Sequence, residues 1–410
     1  MSTLQNTEEI VEVNGGSIIT PYGFTAAGVH TKVKRKRKDL GAILCDVPAS
    51  SAAVYTLNKI QAAPLQVTKE SIAKEGKLRA IVVNSGNANS CTGEQGLLDA
   101  YTMRGSAANA FDMPEHQVAV TSTGVIGERL KMDKIIPGIK DLKPMPTFKD
   151  ADLFNEAIMT TDKVKKHACF QTMINGKRVT FGGTAKGSGM INPNMATMLS
   201  FVTTDADIEP DDLQQALNEV TDKTFNRITV DGDTSTNDMV VVMASGHAGN
   251  ETLHPSHPEW EKFKKALQLT CEDLAKKIAR DGEGATKLVE VNVLGAKTDE
   301  EAGKAAKQIV GSDLVKTAIY GTDANWGRII VALGYSEVEL DPEKIDISLG
   351  SIQTLKNSTP VSFSEEEAKA YLEQENITIT VDLNIGEGSG KAWGCDLTYE
   401  YVRINAGYRT

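Results

Sequence analysis

The chain has 410 residues, of which 40% are hydrophobic and 24% charged, and its formal net charge is −11 at pH 7. These proportions are typical of a globular protein that is long enough to bury a sizeable core. The acidic balance argues against nucleic acid or an anionic membrane as the main partner, and no run of about 18 apolar residues predicts a membrane-spanning helix.

The N-terminal residues 1–16 have neither the basic region nor the apolar region of a signal peptide. The 5 cysteines are scattered along the chain and form no Cys-x-x-Cys pair. This usage is typical of isolated buried thiols in a reducing compartment. We therefore expect a cytoplasmic protein.

The first two thirds of the sequence contain both predicted strands and predicted helices. Residues 81–93 are an apolar run that ends in a cluster of Gly, Ser and Asn, and residues 118–130 predict a strand, a glycine turn and the start of a helix. Apolar residues recur with helical spacing over 212–222 and over 259–280. Packing against the core is sufficient to explain the apolar stripe of the second helix.

The last third alternates strands and helices more regularly. Ser364 and Glu367 have the spacing of a capping box, which predicts the start of a helix. The other elements predicted here are strands at 288–295, 345–350 and 377–383, a helix at 298–310, and a turn that leads into a helix within 318–333. This alternation predicts a mixed α/β fold. No Pro-rich linker marks a boundary, so any domains are expected to interlock.

Two polar segments have ordinary explanations. The basic run KRKRK at 34–38 lacks the interleaved aromatic residues and basic surroundings of a nucleic-acid site, so we expect a solvated strand or loop. The segment DGDTSTND at 231–238 begins like a calcium loop, but Thr236 and Val242 occupy the positions that need Gly and Glu. An Asx- and Ser-rich turn is the simpler prediction.

Other common binding and catalytic motifs are absent. GEGSGK at 386–391 fails as a phosphate-binding loop, because Ile385 and Ala392 stand where Gly and Ser or Thr are needed. The 6 histidines have no metal-binding spacing, and no Gly-x-Ser-x-Gly motif occurs. We therefore predict no metal site and no serine hydrolase triad.

The segment GGTAKGSGMINPNMATMLSF at 182–201 combines glycines, Lys186, a Pro-stiffened turn and the pair Ala196-Thr197. A threonine hydroxyl is a weak nucleophile, and no histidine lies nearby in sequence to activate it. If the bond before Thr197 breaks, the new α-amine, whose pKa is ordinarily about 8, can act as the general base. The small residue before Thr197 would ease that cleavage. The alternative, a loop and strand rich in Gly and Met, stays open on chemistry alone.

KGSGMINPNMATML at 186–199 resembles the cleavage and nucleophile motif of the ornithine acetyltransferases, also called glutamate N-acetyltransferases, of the cyclic arginine pathway. The resemblance extends over essentially the whole chain. Further matching motifs, in the same order as in the family, are VNSGNANSCTG (83–93), TSTGVIGERL (121–130), DGDTSTND (231–238), RDGEGATK (280–287), GTDANWGRI (321–329) and NAGYRT (405–410). Several long motifs in one order are far more specific than a single glycine pattern.

This resemblance implies self-cleavage between Ala196 and Thr197 by an N→O acyl shift and ester hydrolysis. The products would be an α chain, residues 1–196, and a β chain, residues 197–410. Thr197 would then attack the acetyl carbonyl of N2-acetylornithine, release ornithine and pass the acetyl group to glutamate. Such a ping-pong acetyl transfer belongs to arginine biosynthesis and needs no metal.

The same resemblance assigns residues to the site. It implies an oxyanion hole at Thr123 and Gly124, where a strand-to-helix glycine turn would point a hydroxyl and a backbone N–H at one spot. The alternative for Thr123 alone is a helix N-cap. The residues implied in substrate binding are Thr160, Lys186, Thr197, Glu283, Asn405 and Thr410.

Chemistry agrees with part of this set. A cation such as Lys186 suits the α-carboxylate of both substrates. The Glu283 carboxylate suits binding of the side-chain ammonium of ornithine, or proton transfer around Thr197. Asn405 and Thr410 require a C-terminus that folds back to the site.

The fold implied is the family's α/β type with an N-terminal nucleophile. In it, sheets are sandwiched between helices, and residues 286–410 form a smaller C-terminal α/β domain. Two α and two β chains are expected to assemble, and no cofactor is expected. No nucleotide-binding pattern decides whether acetyl-CoA is a further substrate, and we expect the bifunctional type of enzyme that also acetylates glutamate from it.

Two other functions remain compatible with the sequence. An N-terminal-nucleophile aminopeptidase or amidase of related fold would share self-cleavage but transfer its acyl group to water. A non-catalytic binding protein would use Lys186 and Glu283 to sense an amino acid without turnover. The products formed from acetylornithine, with and without glutamate, discriminate among the three.

Overall fold

The computed structural model describes residues 9–192 and 198–407. Over these residues the chain forms two mixed β-sheets with helices packed on them. The α/β class predicted from the alternation of strands and helices is confirmed. No helix in this part of the chain is both long enough and apolar enough to cross a membrane.

The elements are numbered in chain order. The strands are β1 (Val11–Glu12), β2 (Phe24–Val29), β3 (Leu40–Tyr55), β4 (Lys77–Asn87), β5 (Val118–Val125), β6 (Lys166–Ile174), β7 (Lys177–Lys186), β8 (Leu199–Thr204), β9 (Met239–Ala244), β10 (Leu288–Ala296), β11 (Asp346–Leu349), β12 (Ile352–Lys356), β13 (Thr359–Pro360), β14 (Asn376–Asp382) and β15 (Gly388–Cys395). The α-helices are α1 (Ala63–Glu75), α2 (Gly93–Phe111), α3 (Met132–Asp141), α4 (Phe148–Ile158), α5 (Pro210–Lys223), α6 (Trp260–Arg280), α7 (Asp299–Gly311), α8 (Asp313–Tyr320), α9 (Trp326–Gly334), α10 (Glu365–Leu372) and α11 (Tyr399–Gly407).

The larger sheet has the strand order β1-β6-β7-β8-β9-β3-β4-β5, with β2 paired to β3 outside this path. Most neighbours are antiparallel, but β4 pairs with β5, and β8 with β9, in parallel. Strand β9 is a continuous apolar run because both of its faces are buried. Val240 and Val242 share a core with helices α5 and α6, while Val241 shares a core with helix α4 on the other face. The predicted sandwich of a sheet between helices is therefore observed.

The second sheet, β13-β12-β11-β14-β10-β15, is built from strands within residues 288–395. Its own core joins apolar side chains of β10 and β14 to those of helices α7, α9 and α10. Helix α11 follows this sheet and returns to the cavity described below. The division into 1–196 and 197–410, with 286–410 as a smaller domain, stays a prediction.

Most elements predicted from periodicity are confirmed. The predicted helices in the second half correspond to α5, α6 and α7, and the predicted strands to β10, β11 and β14. Ser364 Oγ accepts a hydrogen bond from Glu367 N at 3.2 Å, as the capping box predicts. The thiols are buried as predicted, except that of Cys91, which is exposed.

Two boundary predictions are wrong. The helix predicted to begin within 118–130 begins only at Met132. Gly124 and Gly127 have φ values of +130° and +80°, which a right-handed helix does not use, so the chain turns first. Within 318–333, the first residues are the end of helix α8, which the sequence analysis did not predict because a helix of 8 residues shows little periodicity.

The glycines of GEGSGK have a packing role. They lie at or just before the start of strand β15, beside helix α7 and the turn that precedes it. A Cβ added to Gly388 would lie 2.4 Å from the backbone carbonyl carbon of Thr298, and one added to Gly390 would lie 2.3 Å from Gly303 N. Glycine is needed here because the strand and the helix approach so closely.

The basic run at 34–38 lies in the loop between β2 and β3 and is largely exposed, as predicted, but two of its side chains also bond to another part of the chain. Lys34 Nζ donates to the Met159 carbonyl at 2.8 Å, and Arg37 donates to the Asp162 carbonyl at 2.8 Å. Burial lowers the pKa of Lys34 to about 8. The loop therefore fastens the β2–β3 pair to the segment that follows helix α4.

Candidate active site

A cavity of about 220 Å³ lies where strand ends of the larger sheet meet two loops and the last helix. Its wall includes Thr123 and Gly124 near the end of β5, Lys186 at the end of β7 and Leu199 at the start of β8. The other described residues that line it are Ala88, Ile126, Thr160, Thr161, Gly189, Met190, Met198, Asp231, Asp233, Ser235, Asn237, Asp238, Glu283, Tyr401 and Asn405.

The parallel pair β4–β5 positions Thr123 and Gly124. Thr123 lies within strand β5, so the alternative that it caps a helix is wrong. Gly124 lies opposite Gly86, and a Cβ added to Gly124 would lie 2.4 Å from the carbonyl carbon of Gly86 and 2.5 Å from its oxygen. Together with its φ of +130°, this contact restricts the position to glycine.

Lys186 is the only basic side chain among the described residues of the cavity wall. It is 8% exposed, and its Nζ donates to Thr123 Oγ1 at 3.3 Å. The strand ends thus hold an ammonium group and a hydroxyl together beside Gly124. A carboxylate or an oxyanion in the cavity can receive hydrogen bonds from both.

Asp162 joins the segments that carry Thr160 and Lys186. Its carboxylate accepts hydrogen bonds from Thr160 N at 2.9 Å and from Gly187 N at 2.7 Å. One acidic side chain therefore fixes the positions of two separate parts of the cavity wall.

A buried charge cluster supports Asp162 from behind. Lys166 Nζ lies 2.8 Å from Asp162 and 2.6 Å from Asp281, and all three residues are buried. Burial acts to raise the pKa of Asp162, but the charges of Lys166 and Lys186, with the hydrogen bonds it accepts, outweigh burial and hold the pKa well below its usual range. The carboxyl group is therefore ionised and able to accept several hydrogen bonds.

Glu283 connects the cavity to the C-terminal helix. It is 7% exposed, and its Oε2 accepts a hydrogen bond from Asn405 Nδ2 at 2.8 Å. Its backbone N–H donates to the Ser188 carbonyl at 2.9 Å. A Cβ added to Gly189 would lie 2.4 Å from the Glu283 carboxyl carbon, so the carboxylate lies directly against the glycine-rich segment that follows β7.

The 231–238 loop, DGDTSTND, holds the chain just before residues 193–197. Asp231 accepts hydrogen bonds from Met190 N at 2.7 Å and from Ile191 N at 2.8 Å. Two further hydrogen bonds, each 2.9 Å long, join Asn192 to the same loop. The turn predicted here is present, and it also has a tertiary partner that the sequence analysis did not foresee.

The same loop reaches the chain just after residues 193–197. Met239 N, directly after the loop, donates to the Met198 carbonyl at 3.0 Å. Strands β8 and β9 then run in parallel from the pair Leu199 and Met239. The 231–238 loop and the residue after it thus fix both sides of the segment that contains the predicted cleavage point.

The 231–238 loop ends in a buried acid. Asp238 is 4% exposed, and its Oδ2 has no hydrogen-bond partner among the described residues. Burial raises the pKa of this carboxyl well above its usual range, against the opposing charge of Lys186. Burial also raises the pKa of the Tyr401 hydroxyl, and the charges of Asp231 and Glu283 add to that effect.

The residues that the resemblance assigns to the site fall into two groups. Those that line the cavity are Thr123, Gly124, Thr160, Lys186, Glu283 and Asn405. Ala196, Thr197 and Thr410 lie outside the described residues. The described residues come from distant parts of the sequence and meet in one cavity, while their individual roles stay predictions.

Several polar residues around the cavity were not predicted as site residues, and Asp162, Asp231, Asp238 and Tyr401 are among them. The density of Asp, Ser and Thr in the 231–238 loop was a signal, but a turn explained it fully. Nothing in the local pattern marks Asp162 or Tyr401, because their importance depends on contacts with distant segments.

Comparison with known proteins adds a family. The sequence matches the model of the ArgJ family over residues 25–410. A curated relative from Halalkalibacterium halodurans, named arginine biosynthesis bifunctional protein ArgJ, is 69% identical, with 100% of each chain covered. A relative of the same name from Geobacillus kaustophilus is 63% identical, also with 100% of each chain covered.

A solved structure also matches. The crystal structure of arginine biosynthesis bifunctional protein ArgJ from Bacillus halodurans is 72% identical over the matched part, with a TM-score of 0.51. The match covers 52% of this chain and 100% of that chain.

Proposed function

The chain belongs to the ArgJ family, and from this premise we propose that it is a self-cleaving acetyltransferase of arginine biosynthesis that moves an acetyl group from N2-acetylornithine to glutamate. One observation carries the proposal. Lys186 Nζ lies 3.3 Å from Thr123 Oγ1 in the cavity. The wall of this cavity also includes Met190 and Met198, which precede and follow residues 193–197 in the sequence. Donors for a carboxylate and for an oxyanion thus share one cavity with residues that flank the segment 193–197.

Self-cleavage is the first step. Thr197 Oγ adds to the Ala196 carbonyl, the C–N bond breaks, and the acyl group moves from nitrogen to oxygen. Water then hydrolyses the ester, which frees the Ala196 carboxylate and the Thr197 α-amine. The hydroxyl of Thr123 and the backbone N–H of Gly124 stabilise the tetrahedral oxyanion, a contribution worth about 3–4 kcal/mol per donor in comparable sites.

The length of the solved relative supports this step. Cleavage before Thr197 leaves a β chain of 410 − 196 = 214 residues, which is 52% of the sequence. The whole chain of the crystallised relative covers the same share, 52%, of this protein. A chain of that length is expected if the relative is also cleaved at this point.

Acetyl transfer uses the group that cleavage creates. The Thr197 α-amine takes the hydroxyl proton while Oγ attacks the acetyl carbonyl of N2-acetylornithine. The resulting ammonium returns the proton to the nitrogen of ornithine as the C–N bond breaks, and the acetyl group stays on Oγ as an ester. The α-amine of glutamate then attacks this ester by the same steps in reverse.

The charges of the cavity suit the substrates. The α-carboxylate that both substrates carry binds Lys186, since a charge-assisted hydrogen bond to this buried cation is strong. The δ-ammonium of ornithine binds Glu283, which Asn405 holds in place through its 2.8 Å hydrogen bond. Thr160 and Thr410 complete the substrate contacts.

Further features of the proposal concern the whole enzyme. The relatives are named bifunctional, which favours acetyl-CoA as a second acetyl donor to glutamate. The enzyme acts in the cytoplasm without a metal or other cofactor, as its cysteine usage and the chemistry of an N-terminal threonine favour. Two α and two β chains form the assembly.

Product analysis tests the function. We expect the purified protein to convert N2-acetylornithine and glutamate to ornithine and N-acetylglutamate, and a Thr197→Ala variant to form neither product. Release of free acetate at the same rate with and without glutamate would instead identify an amidase. Binding of acetylornithine without any product in the wild type would identify a binding protein.

A further inference from the structure

The loop at residues 32–38, KVKRKRK, has no part in the reaction described above. It carries six basic residues in seven positions, on a chain whose formal net charge is −11. Like charges repel each other, so their concentration in one folded loop is unfavourable unless an anion offsets it. The surroundings of this loop indicate which anion it could bind.

The backbone of the 32–38 loop is held in one conformation. The Asp39 carboxylate, which is buried, accepts hydrogen bonds from Thr31 N at 2.7 Å and from Lys34 N at 2.9 Å. The Lys32 carbonyl accepts a further hydrogen bond from Lys134 Nζ at 2.8 Å. A ligand that binds here would not have to order the loop first, which favours binding.

Two side chains of the loop bond to the segment that forms part of the cavity wall. Lys34 Nζ donates to the Met159 carbonyl, and Arg37 donates to the Asp162 carbonyl, each at 2.8 Å. The residues between these two carbonyls, 160–161, line the cavity and are half-buried. The loop therefore lies next to a part of the wall that reaches the protein surface.

The loop also contacts the strand beside the predicted oxyanion hole. A Cβ added to Gly86 would lie 2.9 Å from Val33 Cγ1 and 3.3 Å from Lys34 Cγ. Gly86 is the residue of β4 that lies opposite Gly124. The 32–38 loop thus borders the cavity where the carbonyl of an acetyl donor is expected.

The exposed cations of the loop are free to bind an anion. Lys32, Arg35 and Lys36 are exposed, and within the part of the chain that the structure describes their side chains form no ion pair. Lys163, directly after Asp162, adds another exposed basic side chain. Together they form a positively charged surface beside the cavity.

Acidic groups occupy a different part of the wall. Asp231 accepts hydrogen bonds from the amides of residues 190 and 191, and Glu283 lies against Gly189. A polyanion would be repelled by these carboxylates and attracted by the 32–38 loop. The charge distribution therefore favours its approach from the side of residues 160–161.

The chemistry of the acetyl donors identifies the anion. N2-acetylornithine carries a carboxylate but no phosphate, and Lys186 is sufficient to bind that group. Acetyl-CoA carries its acetyl thioester at one end of a long flexible arm, and a pyrophosphate and a 3′-phosphate at the other. Arginine and lysine side chains bind phosphate strongly through charge-assisted hydrogen bonds.

We propose that the 32–38 loop binds the phosphate groups of acetyl-CoA, with Arg35 and Lys36 as the main contacts, while the thioester end enters the cavity beside residues 160–161. This inference rests on the proposed function, in which acetyl-CoA is a second acetyl donor. Lys34 and Arg37 are positioning residues, because their hydrogen bonds fasten the loop to the cavity wall.

The acetyl group is transferred by the same chemistry as in the proposed function. Thr197 Oγ bonds to the thioester carbon, and the C–S bond breaks. The hydroxyl proton passes through the α-amine of Thr197 to the sulfur, so CoA leaves as the thiol. The acetyl ester left on Thr197 then reacts with the α-amine of glutamate.

The test removes two exposed charges, in the variant Arg35→Gln/Lys36→Gln. KM for acetyl-CoA, with glutamate as the acceptor, is expected to rise by about 10-fold or more, because charge-assisted hydrogen bonds to phosphate are lost. The kcat of this reaction should stay close to the wild-type value. The kcat and KM of acetyl transfer from N2-acetylornithine should equal those of the wild type, since this donor has no phosphate.

Lys177→Gln/Arg178→Gln is the matched control. These two basic residues are also adjacent and exposed, but they lie at the start of β7, at the opposite end of this strand from Lys186. The control removes the same net charge, so a general effect of protein charge on a polyanion would appear in both variants. It should have the wild-type KM for both acetyl donors.

A competition experiment locates the phosphate site in the wild type. Adenosine 3′,5′-bisphosphate resembles the phosphate end of CoA but lacks the arm and the thioester. It is expected to compete with acetyl-CoA, to bind at least about 10-fold more weakly to Arg35→Gln/Lys36→Gln, and to leave transfer from N2-acetylornithine unchanged. Its affinity for the wild type should fall with added salt, since the proposed contacts are exposed.

The outcomes separate this inference from the proposed function. A wild type that forms N-acetylglutamate from neither donor contradicts the proposed function. A wild type that uses N2-acetylornithine but not acetyl-CoA refutes the role of the loop alone. An unchanged KM for acetyl-CoA in Arg35→Gln/Lys36→Gln refutes it as well. If that variant loses both activities, the competition experiment decides, and a bisphosphate that does not compete with acetyl-CoA in the wild type refutes the inference.

Discussion

Lys186 gives the cavity its single described basic group, and the other charged side chains on the described wall are acidic. Its side chain is almost completely buried and donates to Thr123. The same cation can therefore bind a carboxylate of the substrate and polarise the hydroxyl that faces the reacting carbonyl.

Replacement of this cation is expected to affect substrate binding first. Lys186→Met keeps much of the side-chain volume but removes the charge-assisted hydrogen bond, which is worth about 1.5–3 kcal/mol. We therefore expect KM for N2-acetylornithine to rise by about 10- to 100-fold. Steady-state kinetics at fixed glutamate concentration measures this effect.

Lys177→Met is the matched control, because Lys177 lies on the same strand, β7, but is exposed at its other end. Its KM should equal that of the wild type. An unchanged KM in Lys186→Met would remove the carboxylate-binding role from Lys186.

At the scale of elements, the 231–238 loop determines how the chain enters and leaves residues 193–197. Asp231 accepts the Met190 and Ile191 amides, and Met239 N donates to the Met198 carbonyl. A strained or well-oriented peptide bond cleaves faster than a mobile one, because orientation lowers the barrier to intramolecular attack.

Weakening the hydrogen bonds between Asp231 and the Met190 and Ile191 amides is expected to slow self-cleavage. Asp231→Asn keeps one carbonyl acceptor and loses the other, so one of the two amide hydrogen bonds disappears. A loss of about 1.5 kcal/mol corresponds to a roughly tenfold longer half-time of cleavage. The half-time is measured by denaturing gel electrophoresis during a chase after expression.

Asp222→Asn is the control for this variant. Asp222 is exposed on helix α5, where it accepts a hydrogen bond from Asn226 Nδ2 at 2.7 Å. Its cleavage half-time should equal that of the wild type. If Asp231→Asn also cleaves at the wild-type rate, the loop does not act on the cleavage point.

The sequence predicted the elements better than the contacts between them. Helix α6 and strand β14 follow directly from periodicity, because their buried residues recur at helical and strand spacing. Helix α8 was not predicted because it is short. The start of helix α3 was predicted too early because the sequence pattern does not reveal the positive φ values of Gly124 and Gly127. The contacts of the 231–238 loop with residues 190–192 could not be predicted for a similar reason, because its composition is that of any polar turn.

At the scale of the whole molecule, a buried charge cluster joins three parts of the chain. Lys166 on β6 pairs with Asp162, which precedes that strand, and with Asp281, which follows helix α6. Asp162 in turn holds Gly187, directly after Lys186. The cluster therefore links the sheet and helix α6 to the cavity wall.

Removal of the central cation is expected to destabilise the fold strongly. Lys166→Met leaves two buried carboxyl groups without their counter-charge, which typically costs about 3–5 kcal/mol. Lys165→Met, one residue earlier, breaks a partly exposed ion pair with Asp152 and should cost about 1 kcal/mol or less. Urea denaturation at pH 7 compares the two variants.

The cluster also predicts the direction of the acid dependence. The folded state holds the pKa of Asp162 below its unfolded value, which is about 3.9. The stabilisation is therefore fully present above that value and is lost as the pH falls through the lower folded pKa. Equal stability of Lys166→Met and Lys165→Met at pH 7 would contradict this account of the cluster.

That distant residues meet in one cavity could be predicted only in part. The site residues are far apart in the sequence: Thr123, Lys186, Glu283 and Asn405. From the sequence, only the resemblance to a family assigned them to one site. Composition and periodicity specify which faces are buried, but not which loops meet. The return of helix α11 to the cavity, which places Asn405 against Glu283, depends on the whole fold.

In the proposed function, the chain cleaves itself before Thr197 and uses the new N-terminal threonine as its nucleophile. The most direct measurement is the intact mass of the purified protein under denaturing conditions, with Thr197→Ala alongside. We expect two chains for the wild type, 1–196 and 197–410, and one unbroken chain for the variant. A wild type that stays a single chain while it forms N-acetylglutamate, or a Thr197→Ala variant that is cleaved at the same bond, would contradict it.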